Sequence, residues 1–103
     1  MFNIIARPTL LAYCQLYPSA SNALKQWYAE LHGQDFTNFN DLKAAYGSVS
    51  IVGDNRLVFN IMGNKYRLVV RMAFEYKTIQ IKWFGTHKEY DTIDVTTIHY
   101  QKP

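Results

Sequence analysis

The segment Gly85-Thr86-His87-Lys88-Glu89-Tyr90-Asp91 holds the side chains best suited to moving a proton. A free imidazole titrates nearer neutrality than any other side chain, so a positioned His87 can act as acid or base. Tyr90, three residues on, offers a ring for stacking and a phenolic proton that nearby cations would make more acidic. Upstream, Arg56, Asn60, Lys65, Arg67, Arg71 and Lys82 recur through stretches of alternating polarity. These types together meet the demands of metal-independent RNA cleavage. One group takes the proton of the 2′-hydroxyl, cations hold the crowded phosphorane, and one acid protonates the leaving 5′-oxygen. The His-Tyr pair has a structural reading too, in which His87 caps or hydrogen-bonds a turn.

Other chemistries lack their residues. His32, His87 and His99 stand far apart in the sequence without the close Cys, His or Asp partners of a metal site, so no metal is expected. There is no phosphate-cradling loop or dinucleotide fingerprint, and no small-molecule cofactor is expected. Cys14 falls on an apolar helical stripe and reads as core rather than nucleophile. Paired carboxylates of the glycosidase kind are not recognisable. Trp27 and Tyr28 read as helix–sheet packing.

Periodicity predicts the scaffold. Residues 2–6 form a short apolar run that reads as a strand, edge or central. Pro8 suits the first turn of a helix whose stripe runs Leu10, Leu11, Cys14 and Tyr17 and stops at Pro18. Ser19 or Ser21 can cap a second helix with Leu24, Trp27, Tyr28 and Leu31 on one side and Gly33 at its end. Residues 41–47 predict a short third helix, capped by Asn40 and stopped by Gly47. Helices are expected in the first half alone.

From Val49 the period falls to two. Leu57, Phe59 and Ile61 share a face, and after a Gly63-Asn64 turn so do Tyr66, Leu68, Val70, Met72 and Phe74. Tyr76-Lys77 makes a second turn, and Ile79, Ile81 and Trp83 line the next strand, with Gln80, Lys82 and Phe84 opposite. The expectation is an α+β fold of order β-α-α-(α)-β-β-β, with two to three helices on one face of an antiparallel sheet. The other face then gathers Arg56, Asn60, Lys65, Arg67, Arg71 and Lys82, more uniformly cationic than polar-out alternation predicts. The final Thr-Thr-Ile-His-Tyr-Gln-Lys-Pro reads either as a last strand or as a tail.

A chain of 103 residues is the size of one domain, so a single domain over residues 1–103 is expected. With 49% hydrophobic and 16% aromatic residues the chain can bury a core, which excludes a disordered segment. One cysteine excludes an internal disulfide framework. No apolar run nears the roughly 20 residues of a membrane span, and no signal-peptide layout is present. A soluble cytoplasmic protein is expected. Its net charge of +3 is unevenly spread. Residues 1–54 hold three basic and four acidic side chains, whereas residues 55–91 hold seven basic and three acidic. Such asymmetry suits a polyanion on one surface, although a solvated sheet face bearing scattered lysines would give the same count.

Two stretches carry a resemblance: Val58-Phe59-Asn60-Ile61-Met62-Gly63-Asn64-Lys65-Tyr66-Arg67-Leu68 and Gly85-Thr86-His87-Lys88-Glu89-Tyr90-Asp91. As a pair at this separation they resemble the signatures of HigB-type toxins, in the RelE-like superfamily of toxin–antitoxin systems. The order of elements agrees along nearly the whole chain. The resemblance implies an mRNA interferase that enters the ribosomal A site and cuts the message without a metal. It also implies a partner, a HigA-type helix-turn-helix antitoxin. Carried over, Lys65 and Arg67 would stabilise the transition state, and His87 and Tyr90 would supply proton transfer and base stacking. From the cationic sheet face rather than from the family pattern, Arg71 and Lys82, with Arg56, Asn60 and Lys88, are expected to contact RNA phosphates. Members differ in which group is acid and which is base, and a lysine base depressed by Arg67 and Arg71 is one arrangement. The competing reading is a non-catalytic RNA- or protein-binding module on the same sheet, an inactive relative of the toxins.

Overall fold

The apolar stripes and alternations resolve into four helices and five strands in a computed structural model that describes residues 3–5, 7–34 and 36–98. Strand β1 (Asn3–Ile5) leads into α1 (Arg7–Leu16), with Pro8 in its first turn. Phe2 and Ala6 of the expected strand lie outside the described residues. Leu10, Tyr13 and Cys14 are the buried side of α1, while Leu11 is 43% exposed, so the stripe passes through Tyr13 instead of Leu11. Pro18–Ala20 forms a 3-10 turn, and α2 (Ser21–Gly33) follows with Leu24, Trp27 and Leu31 buried. Neither expected serine caps α2; its N-cap is Ala20, without a side-chain bond. Helix α3 (Phe39–Ala45) is capped by Asn38, which accepts from the Asp41 amide, two residues ahead of the expected Asn40.

Strands β2 (Ser50–Val52), β3 (Arg56–Ile61), β4 (Tyr66–Ala73) and β5 (Thr78–Thr86) make the second half. Sheet order is β1-β5-β4-β3-β2. The edge strand β1 runs parallel to β5, and every other pair is antiparallel. Strand β2 is an addition to the expected meander; its three residues are too few to show an alternation. Left-handed residues in the β3–β4 turn are Met62 (φ 54°) and Gly63 (φ 67°), one position earlier than the expected Gly63-Asn64. Residues 87–90 form a further helix, α4 (His87–Tyr90), so helices are not confined to the first half.

Three helices cover one face of the sheet, and the core lies between. Leu57, Phe59 and Ile61 from β3, Leu68, Val70 and Met72 from β4, and Ile79 and Ile81 from β5 meet Leu10, Tyr13, Leu24, Trp27 and Leu42 there. Each such side chain contributes on the order of 2 kcal/mol by leaving water. Trp27 meets Phe59 edge-on at 5.5 Å, as helix–sheet packing requires.

Strand β5 departs from simple alternation. Val69 faces Trp83 but Val70 faces Ile81, which leaves Lys82 as an extra residue, a β-bulge. Parity shifts by one beyond it. Phe84 therefore joins Ile79 and Ile81 in the core at 1% exposure, and Trp83 turns to the opposite face, reversing the expected assignment of both. Tyr13, Tyr17 and Tyr66 pack their rings on Phe84, with centroids at 5.8, 5.5 and 5.3 Å.

Candidate active site

On the face away from the helices, three cross-strand rows run over β3, β4 and β5. They are Arg56–Arg71–Gln80, Val58–Val69–Trp83 and Asn60–Arg67–Gly85. The middle row is apolar, with Val58 and Val69 buried, so the face is two polar ends parted by a hydrophobic strip. Arg67 and Arg71 sit four residues apart on β4, about 13 Å at the usual strand rise of about 3.3 Å per residue.

One end is built from the β3–β4 turn and α4. A four-residue helix cannot persist alone, because nucleation fixes several dihedrals for a single hydrogen bond. Here a capping box starts it. The Glu89 amide donates to Thr86 Oγ1 at 3.1 Å, and Glu89 Oε1 accepts from the Thr86 amide at 2.9 Å. The His87 amide then donates to the Lys65 carbonyl at 3.0 Å, tying α4 to the turn. Lys65, His87 and Lys88 are exposed, and Arg67 is half-buried, its Nη1 donating to the carbonyls of Asn64 (3.3 Å) and Tyr66 (3.2 Å). Tyr90 lies against Trp83, ring centroids 6.3 Å apart at 51°. Lys65, Arg67, His87, Lys88 and Tyr90 thus share one corner, and Asn60 borders it beside Arg67.

A second layer holds this corner. The hydroxyl of Tyr17, the residue just after α1, donates to Glu89 Oε1 at 2.8 Å, and Ser19 Oγ and Tyr66 OH share a 2.8 Å hydrogen bond. The Thr86 amide holds the Glu89 carboxyl below the usual carboxylate range, helped by the Tyr17 and Thr86 hydroxyls against partial burial. Burial and the Glu89 carboxylate push the Tyr17 phenol up to about 12. The Thr86-x-x-Glu89 spacing is a readable capping signal, whereas Tyr17 is 72 residues away with no local sign of the contact.

At the other end the cations are differently placed. Arg56 is only 6% exposed. Its Nη1 donates to the carbonyls of Val95 (3.2 Å) and Ile98, so residues 95–98 lie against it and the side chain is structural where it stands. Among the described residues the C-terminal stretch is turns, not a strand; residues 99–103, including His99, lie outside them. Arg71 Nε donates to the Asp54 carbonyl at 3.2 Å and faces that residue's carboxylate at 3.6 Å. Burial pushes the Lys82 ammonium down, and Arg56 and Arg71 add to it. The groove of about 440 Å³ at this end is lined by Arg71 and Gln80 and by none of Lys65, Arg67, His87 or Tyr90. Among the described residues no three His, Cys, Asp or Glu side chains gather to hold an ion.

Fold and site define an α+β protein that keeps helices on one sheet face and gathers cations, a histidine and aromatic rings on the other. Comparison with known sequences supplies the family. Residues 20–93 match the profile of the HigB toxin, described as a RelE-like toxic component of a toxin-antitoxin system, and the chain belongs to that family. It is 29% identical over 102 residues to the mRNA interferase toxin HigB of Escherichia coli (strain K12), covering 97% of this chain and 96% of that one. The mRNA interferase HigB of Shigella flexneri matches to the same extent.

Proposed function

We propose that this toxin is an endoribonuclease that cuts mRNA in the ribosomal A site, held inactive by a HigA-type helix-turn-helix antitoxin. The relatives' name, mRNA interferase, supports the substrate class. The observation that carries the chemistry is the His87 amide to Lys65 carbonyl bond, which brings an imidazole to the same corner as Lys65, Arg67 and Tyr90. In the proposed reaction the 2′-oxygen attacks its own 3′-phosphate while its proton passes to a base at this corner. A new O2′–P bond forms and the P–O5′ bond breaks. The fragments carry a 2′,3′-cyclic phosphate and a 5′-hydroxyl, and the leaving oxygen takes a proton from the acid. His87 serves as acid or base, Lys65 and Arg67 offset the charge of the phosphorane, and Tyr90 stacks on or orients the nucleotide. No metal takes part. Naked RNA is a poor substrate, because the ribosome orients the 2′-hydroxyl in line.

The test is a reconstituted translation mixture containing the purified protein, with message 5′ ends mapped with and without ribosomes, and in chelator. Cuts confined to translated codons, unaffected by chelation and slowed about 10²–10⁴-fold by His87→Ala, are expected. Rapid cutting of naked message would remove ribosome dependence. A folded protein that binds ribosomes and makes no cuts would favour the non-catalytic module.

A further inference from the structure

We propose that the Trp83 indole is a stacking platform for a nucleobase of single-stranded RNA, with the cations at either end of β4 holding the flanking phosphates. The proposal rests on the RNA reading above and names a residue that strict alternation would bury. The bulge at Lys82 turns Trp83 outward, and Phe84 takes the core position in its place. Bulges beside functional sites commonly re-aim a side chain in this way.

Gly85 shows how the ring lies. A Cβ at residue 85 would stand 2.6 Å from Trp83 Cη2 and 2.7 Å from Cζ2, so the six-membered ring crosses directly over that backbone. Gly63 is the described glycine with a positive φ, so the backbone at 85 makes no demand for glycine. Clearance for the indole does. Trp83 is half-buried in this pose, with Tyr90 as a second aromatic wall at 51°. Arg67 is directly cross-strand from Gly85 with Lys65 beyond it, and Arg71 and Lys82 lie at the other end. A ring between two groups of cations along one strand matches the alternation of base and phosphate in a single strand. Stacking on such a ring contributes to affinity for any base, since every base has a π-face.

The experiment uses the whole chain with Trp83→Leu, which keeps apolar bulk without a ring, and Trp83→Phe, which keeps a smaller ring. Melting curves confirm that each folds. In reconstituted translation, Trp83→Leu is expected to raise KM about five- to 100-fold with a smaller change in kcat, and Trp83→Phe to recover most of the loss. An unchanged KM in folded Trp83→Leu overturns the platform. Titration with a short single-stranded oligoribonucleotide, read by tryptophan fluorescence, separates this inference from the cleavage proposal. Quenching in the parent chain that disappears in Trp83→Phe supports stacking even if no message is cut, because Trp27 is buried in both. An oligoribonucleotide that binds without quenching Trp83 overturns it, whatever the outcome for cleavage.

Discussion

Lys82, on the β5 bulge, has surroundings that oppose its charge. Partial burial disfavours the ammonium, and Arg56 and Arg71 repel it, outweighing the attraction of Asp54. A base with a lowered folded pKa binds fewer protons folded than unfolded, so stability rises as pH climbs through that lowered range. Lys82→Met is therefore expected to raise the melting temperature at pH 7, with the gain shrinking toward pH 10. The same change should weaken binding of an oligoribonucleotide. A lower melting temperature at pH 7 would mean that Lys82 is satisfied where it stands. One arrangement open to a lysine on this face is a base depressed by Arg67 and Arg71; at Lys82 the depression comes from burial first, then from Arg56 and Arg71. At the other corner, Lys65→Ala is expected to abolish growth arrest while leaving the melting temperature nearly unchanged, because Lys65 is exposed and only its backbone supports α4.

Helix α4 shows how an element too short to stand alone becomes a fixed carrier of His87 and Tyr90. Its attachments are the Lys65 carbonyl, the ring of Trp83 and the Tyr17 hydroxyl. Tyr17→Phe keeps the ring against Phe84 and removes only the donor to Glu89, so the fold should hold while kcat falls and KM changes little. Glu89 adds a pH dependence. Its carboxyl is held below the usual range, so its stabilisation is present above the unfolded carboxylate pKa and is lost as pH falls through the lowered folded value. Amide exchange at Asp91, whose N–H donates to the His87 carbonyl, should accelerate over that acid range, and Glu89→Gln should remove the transition. How much of this was readable follows from the range of each signal. The helical stripes and the two-residue alternation of β3 and β4 are local and read directly, whereas the equally local Thr86-x-x-Glu89 spacing is passed over by the expectation of helices in the first half alone. The bulge could not be read, because one inserted residue shifts parity without leaving a local mark, and that shift exchanged Trp83 with Phe84. Tyr17 could not either, since only the folded chain places it beside Glu89. Asn38 and Asn40 carry the same capping signal two residues apart, so residue type alone does not choose between them, and Asn38 is the cap.

Across the whole molecule, the charge asymmetry between the two halves becomes an asymmetry between two faces of a sheet, but not every cation contributes to it. Arg56 is spent on the carbonyls of Val95 and Ile98, whereas Lys65, Arg67, Arg71 and Lys82 remain at the two ends of the strip. Salt separates the two kinds. A protein that neutralises phosphates of a single strand releases about 0.7 counterions for each, so four such cations give a slope of log K against log salt near −3. Lys65→Ala is expected to reduce the magnitude of that slope by about 0.7 and leave the melting temperature alone. Arg56→Met should do the opposite. It leaves the partly buried carbonyls of Val95 and Ile98 without their donor, lowering the melting temperature, and it leaves the slope unchanged because that guanidinium is held away from phosphate. The measurement is oligoribonucleotide affinity from 50 to 300 mM salt for the parent chain and both variants. An Arg56→Met slope reduced as far as that of Lys65→Ala would mean that residues 95–98 move aside when RNA binds, making the cationic face longer than its resting form displays.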